Sequence, residues 1–409
     1  MSDTESNSDT NSDSYSDTSD YSSDEQVNNL NLKGKILKNY NVISELGRGA
    51  FSIVWLCFNI NDNKYYAMKV NDPDEYEEGK HELSLLKRIE PNKNICDLKE
   101  YFIEKKDDFK YICSVFELHC CDLDQLIDNN FQNGLPEEMV AHIYKQLKVA
   151  LNYLHNTLKV LHGDIKPENI LLKGVSNKVQ HIIDYYNNEN FLQKYNTEKK
   201  RFWVANGKSL EKINKMKKED KLKIRMHVHQ KIVDNYKKPD NISREISLEY
   251  IRKLDISLTD FGSFCPDEEV YDAEFGTVYY NAPEVILLGD STNKVDIWSL
   301  GCTLYELLTG RVLFKPKENR MGSENYNHLL KMCHECGDFN INFLKGTQKY
   351  KSYFDKTGKI NNLSNLKELG DEKKLDDLNY FWKNIISKCL DLYPHSRYSI
   401  NQLNQLNQL

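Results

Sequence analysis

Between Tyr40 and Asp122 the apolar residues mostly come in short runs rich in β-branched and aromatic side chains, whereas beyond Asp122 long stretches carry them at helical spacing. That change of period is the strongest constraint on the fold, because it calls for strands and helices segregated along the chain. The runs ISELG, FSIVWLCFNI and KYYAMKV are separated by glycine or by Asn61, Asn63 and the intervening Asp62, which predicts consecutive antiparallel strands. HELSLLKRI follows with Leu83, Leu86 and Ile89 three apart, a helical pattern. MVAHIYKQLKVALNYLHN and VDIWSLGCTLYELLTG read as long helices. The expected fold class is α+β, a small β-rich half followed by a larger α-helical one.

Composition separates the ends from the body. The 409 residues are 39% hydrophobic, enough for a sizeable core. Residues 1–26 hold eight acids and no base, so a net charge of -7 leaves -7 + 8 = +1 for the rest. Residues 1–33 are expected to be a disordered acidic Ser/Asp-rich tail, since they cannot bury enough apolar surface to offset their ordering entropy. Its serines followed by acids suit an acid-directed kinase or simply a solubilising tail. Ten scattered cysteines and the lack of a secretory leader point to reduced thiols in an intracellular protein. No uncharged apolar run approaches the roughly 18 residues of a membrane span, which predicts a soluble protein, in cytoplasm or nucleus.

One segment interrupts the body. Asn169 and Asp260 are 260 - 169 = 91 residues apart, although NILL and ISLTD read as two strands of one small sheet. Roughly 10 to 15 residues would join such strands. Residues 173–255 are therefore read as an insertion; they hold 20 Lys or Arg against 11 Asp or Glu, a net of +9, with a weakly helical stretch around LEKINKMKKEDKLKIRM. Such a patch suits nucleic acid, a membrane surface or an acidic partner, the plain alternative being a solvated charged face. The terminal NQLNQLNQL reads as an extension of the last helix.

Several short motifs carry chemistry. Leu46, Gly47, Arg48, Gly49, Ala50, Phe51, Ser52, Ile53 and Val54 lie between two strands, where glycines bring backbone N–H groups close to phosphate oxygens. Lys69 on the next strand offers a cation for nucleotide phosphates, and Glu82 on the following helix offers it a partner. In VLHGDIKPENILL, Asp164 can accept a proton from an attacking hydroxyl, Lys166 can follow migrating phosphoryl charge and Asn169 can ligate Mg²⁺. Asp260 in TDFGS offers a second oxygen ligand. Cys333-His334-Glu335-Cys336 resembles half of a metal site, but no second pair follows, which favours ordinary cysteines.

Taken in order, glycine loop, strand lysine, helix glutamate, HxDxKxxN, DFG and Ala282-Pro283-Glu284 resemble the signature of eukaryotic-type protein kinases, from about Tyr40 to the C-terminus. Asp296 and Arg397 match the family's central-helix aspartate and the arginine that pairs with the APE glutamate; Lys166 and Thr277 match its serine/threonine-specific pattern. The resemblance implies a bilobal kinase domain over 40–409, ATP and Mg²⁺ as cofactors, Glu117 and Leu118 at an adenine-binding hinge, and a monomer acting on Ser or Thr of a protein substrate. GAFSIVWLC, the insertion and YFDKTGKINNLSNLK are similar to the SR-protein kinases. The chain departs from them at Asn281, Arg311, Asn327 and His334, the last three standing where acids of those enzymes hold arginine-rich substrates, so docking of Arg-Ser repeats stays open. Five acids between Ser263 and Gly276 (Asp267, Glu268, Glu269, Asp272, Glu274) favour basic substrates. Gly163 replaces the arginine that in many kinases pairs with a phosphorylated activation segment, which implies activity without that phosphorylation. A pseudokinase, or a scaffold binding partners or nucleic acid through the insertion, is the alternative.

Overall fold

The short runs of the first half build a six-stranded antiparallel sheet in the order β1-β2-β3-β4-β6-β5. Its strands are β1 (Ile36–Leu37), β2 (Tyr40–Arg48), β3 (Ser52–Asn59), β4 (Lys64–Asn71), β5 (Leu98–Lys106) and β6 (Phe109–Phe116). The computed structural model describes residues 31–49, 51–106, 108–239, 253–267, 275–362, 369 and 373–406. Met1–Leu32 and Lys33–Leu409 form separate units, and the expected tail falls almost wholly outside the described residues.

Helix α1 (Tyr76–Leu86) follows β4 and buries Leu83, Leu85 and Leu86. It stops three residues short of Ile89, ahead of Pro91, which disfavours a helical conformation in the residue before it. The helical half then contains α2 (Leu123–Asn130) and α3 (Glu137–Asn152). A small sheet, β10-β9-β7, lies against them, formed by β7 (His119–Asp122), β9 (Ile170–Lys173) and β10 (Ile256–Leu258). Ile170 pairs with Leu258, so NILL and ISL meet directly across the intervening residues 173–255. A two-stranded ladder joins β8 (Val160–Leu161) to β11 (Cys265–Pro266).

The insertion is more ordered than its charge suggests. It forms α4 (Asn177–Asn188), α5 (Phe191–Ala205) and α6 (Lys218–Asn235), while residues 240–252 lie outside the described ones. Val179, Ile182, Ile183, Tyr186, Phe191, Trp203, Ile224, Val228 and Ile232 pack with Ile43, Leu56 and Phe58 of the large sheet as a second core. The insertion leaves from the helical half and covers the outer face of β2 and β3. Its lysines stay outside, as a solvated face would, but its other side is a packing surface.

The remaining helices include α7 (Lys294–Thr309), α8 (Glu324–Cys336) and α9 (Tyr380–Cys389). Helix α7 is buried along nearly its whole length; at Gly301 a Cβ would lie 2.8 Å from that of Cys389, so glycine lets α9 approach. NQLNQLNQL contributes to a short helix, Ile400–Gln405, that starts at a Ser399/Gln402 capping box. All ten cysteines are free thiols.

Candidate active site

Strand β4 and helix α1 bring Lys69 and Glu82 together: Nζ lies 2.9 and 2.8 Å from the two carboxylate oxygens, and 3.4 Å from Asp260 Oδ1. Burial opposes the charge on Lys69, but Glu82 and Asp260 outweigh it and hold its pKa above the ordinary lysine value. Burial likewise pushes Asp260 up, yet Lys69, His162 and Lys166 keep it below the usual aspartate value. Asp260 therefore stays a carboxylate at neutral pH. Its backbone is left-handed, φ 61°, which holds the residue at the end of β10 in an uncommon turn.

The stretch from Val160 to Leu172 is fixed from below. Buried Asp296 at the start of α7 accepts from the backbone N–H groups of His162 (2.8 Å) and Gly163 (2.9 Å) and from His155 Nε2 (2.7 Å). Asp164 follows at once, and its Oδ2 accepts from Lys166 Nζ at 2.8 Å and Asn169 Nδ2 at 3.0 Å. Its Oδ1 is buried and has no partner among the described residues. Asn169 spends its amide nitrogen on Asp164, including the backbone oxygen at 2.8 Å, which leaves its side-chain oxygen for another contact. Lys166 also donates to Thr277 Oγ1 at 2.5 Å, joining the loop to the segment before Ala282. Arg397 and Glu284 form a bidentate pair at 2.6 and 3.0 Å, both fully buried.

A cavity of about 850 Å³ opens beside this group. Leu46, Gly47, Val54, Lys69, Glu82 and Glu117 line it, as expected of a nucleotide site. Among the described lining residues, Arg48, Gly49, Phe51, Ser52, Ile53 and Leu118 do not appear: Phe51 is exposed at the hairpin tip, Ile53 is buried in the sheet, and Leu118 packs against the insertion. Ala50 lies outside the described residues. Asp122 is a lining residue that motif reading missed. It caps α2 by accepting from Gln125 N at 2.7 Å, and burial raises its pKa to about 6. An aspartate directly before a helix was the available signal. The insertion supplies a further wall through Val175, Ser176, Val179 and Ile182.

A second missed group lies beneath the loop. Burial pushes the Glu306 pKa up to about 7, and Glu168, Asp124 and Asp128 add to that shift. Tyr280 donates to Glu306 Oε2 at 2.5 Å. Of the five activation-segment acids only Asp267 is described, and it is engaged: Asn293 donates to it from N (2.7 Å) and Nδ2 (2.6 Å). Asn327 is buried and donates to the carbonyls of Lys317, Gly322 and Ser323, so it organises a loop rather than lining a groove. Cys333 and Cys336 belong to no group of three or more metal-capable side chains among the described residues.

Fold and site together define a two-lobed phosphotransferase architecture. The family model for the protein kinase domain matches residues 40–207 and 224–407, and the chain belongs to the protein kinase family. It is 29% identical to the serine/threonine-protein kinase SRPK of Physarum polycephalum, over 85% of this chain and 78% of that one. It is 26% identical to a putative serine/threonine-protein kinase, L205, of Acanthamoeba polyphaga mimivirus, over 83% and 79%. The protein kinase dsk1 of Schizosaccharomyces pombe is 25% identical over 81% and 72%. A crystallised kinase domain superposes with a TM-score of 0.64 at 24% identity, covering 91% of this chain and 95% of its own. Membership implies ATP with Mg²⁺ and protein substrates. No helix among the described residues is long and apolar enough to cross a membrane.

Proposed function

We propose that the protein transfers the γ-phosphoryl group of ATP to serine or threonine hydroxyls of a protein substrate. The observation that carries this reading is Asp164: one carboxylate oxygen is held by Lys166 and Asn169, and the other is buried, without a partner among the described residues, and available to a substrate hydroxyl. A buried acceptor without a donor is costly unless a ligand supplies one. Asp164 is the base that takes the hydroxyl proton, and Lys166 neutralises charge as the phosphoryl group moves. The Asn169 side-chain oxygen and the Asp260 carboxylate are hard oxygen donors that fit Mg²⁺, which would neutralise phosphate charge. Lys69, held by Glu82, fixes the nucleotide phosphates, and the backbone of Glu117, which lines the cavity, takes the adenine edge.

Basic substrates are favoured by the acids Glu168, Asp124 and Asp128 grouped around buried Glu306 and, in the sequence, by the five acids between Ser263 and Gly276. Activity without activation-segment phosphorylation is supported by Gly163, whose backbone has no room for a side chain. The outward lysines of the insertion are the surface for a nucleic acid or acidic partner; a gel shift that fades as salt rises and disappears when those exposed lysines are replaced by glutamine would support it.

The test is phosphorylation of a basic Ser peptide with Mg-ATP. Asp164→Asn should reduce kcat by about 10² to 10⁴. Wild-type turnover in that variant would remove Asp164 from the role. Phosphatase-treated wild-type protein should keep most of its activity, and a fall to background would overturn phosphorylation independence.

A further inference from the structure

His81 and Phe264, which none of the roles above uses, meet at the inner edge of the cleft. His81 stands directly before Glu82 on α1, and its ring lies flat on that of Phe264, centroids 4.2 Å apart and planes 13° from parallel. Its Nε2 is 3.1 Å from the Phe264 carbonyl oxygen. A carbonyl only accepts, so this nitrogen carries a proton and donates. Phe264 is a fixed platform: it is buried, its N–H bonds the Phe261 carbonyl at 3.3 Å, and the next residue, Cys265, pairs with Leu161 in the β8–β11 ladder. Helix α1 begins with no side-chain cap, and beyond its last turn Arg88 donates to the Leu158 carbonyl at 3.2 Å. Successive helical residues point about 100° apart, so the turn that aims Glu82 at Lys69 aims His81 at Phe264.

Resting on the kinase reading, we propose that His81 is a positioning residue for phosphotransfer. Its contact with Phe264 couples α1, and through Glu82 the Lys69–Asp260 alignment, to the segment that follows Asp260. In kinases with arginine at the place of Gly163, a phosphorylated residue paired with that arginine orders the activation segment. Here residues 261–266 are tied to α1 by a ring stack and one hydrogen bond, a contact that needs no modification.

The experiment is steady-state kinetics of the full chain with Mg-ATP and a basic Ser peptide. The variants are His81→Ala, His81→Phe, Phe264→Ala, Phe264→Tyr, and His81→Ala combined with Glu82→Gln. His81→Ala should lower kcat about tenfold and leave the ATP KM within about twofold, the size expected from losing one stack and one hydrogen bond. His81→Phe keeps a stack and should recover part of the loss; Phe264→Tyr should stay near wild type. Because His81 acts through Glu82, adding His81→Ala to Glu82→Gln should cause little further fall. Wild-type kcat in His81→Ala overturns the proposal, as does a full tenfold loss on top of Glu82→Gln. A drop that merely follows a lowered melting temperature, with no rescue by His81→Phe, also overturns it and leaves a structural role. If the wild-type protein itself transfers no phosphate, the kinase reading fails first, and this one with it.

Discussion

At Gly163 the backbone has φ +85°, and a Cβ would come within 2.4 Å of the Ser263 carbonyl oxygen. The first fact disfavours any L side chain, and the second forbids it without backbone movement. The glycine is thus part of how the catalytic loop passes the activation segment. Gly163→Arg should not restore a phosphate-dependent switch. It should displace the residues after Phe261, lose most phosphotransfer, and lower stability by on the order of 1 to 3 kcal/mol. Urea denaturation and the peptide assay measure both, and an active, equally stable variant would refute the steric account. A second test at this scale is Arg397→Ala, which leaves Glu284 buried without its partner. Removing one member of such a pair costs about 3 to 5 kcal/mol, so the denaturation midpoint should fall sharply.

Helix α6 is held to β2 by a buried polar chain. Asn41 Nδ2 donates to the Tyr186 hydroxyl (2.8 Å), which donates to His229 Nδ1 (3.0 Å), while His229 Nε2 donates to the Val42 carbonyl (2.8 Å). Arg225 Nε donates to Asn41 Oδ1 at 2.8 Å. Every atom of the His229 ring that can bond does so as the neutral tautomer. Burial, helped by nearby Arg225 and opposed by the Val42 bond and Asp234, lowers its pKa to about 4. The unfolded chain takes up a proton below the ordinary value near 6.5 and the folded one does not. Stability from this group is therefore present at neutral pH and is lost as pH falls from about 6.5 toward 4, a difference on the order of 3 kcal/mol. Protection of the α6 amides from hydrogen exchange, taken relative to the intrinsic rate at each pH, should fall across that window, and His229→Gln should weaken the pH dependence. An unchanged profile in the variant would assign the acid sensitivity elsewhere.

For the whole molecule, the insertion is a third structural layer: sheet, helical half, and a helical cover on the sheet's outer face. Replacing residues 177–239 by a short linker would expose Ile43, Leu56 and Phe58. Full burial of such side chains is worth about 1.5 to 3 kcal/mol each, so the deletion should melt well below the wild type and aggregate. A deletion protein of wild-type melting temperature would show the cover to be dispensable. The cavity takes its lining from the sheet, from α1 and α2, and from the insertion, so a bound nucleotide should stabilise all of them at once. At 100 times its dissociation constant, Mg-ATP should add about 2.7 kcal/mol, read as a rise in melting temperature.

How much of this was legible in the sequence differs by range. The change of period near Asp122 and the turn residues Asn61 to Asn63 carry the order of strands and helices, because burial on one face leaves its period in the residues of that element. Asp164, Lys166, Asn169 and Asp260 are legible as candidates because the protein-kinase signature holds those residue types at short, fixed spacings along a loop and at a strand end. Asp122, Glu306 and the His81–Phe264 contact are not, since their surroundings come from residues remote in the chain. The strand FSIVWLCFNI held one unused clue: it lacks the polar alternation of a sheet exposed on one side, which signals cover on both faces. It could not say what the cover is. The spacing of Ile224, Val228 and Ile232 likewise marks a helix with one buried side. Amino-acid order by itself determined which faces avoid water. Only the tertiary structure decided that these two faces cover each other, because apolar burial is non-directional and its partner is set by surface fit between segments far apart in sequence.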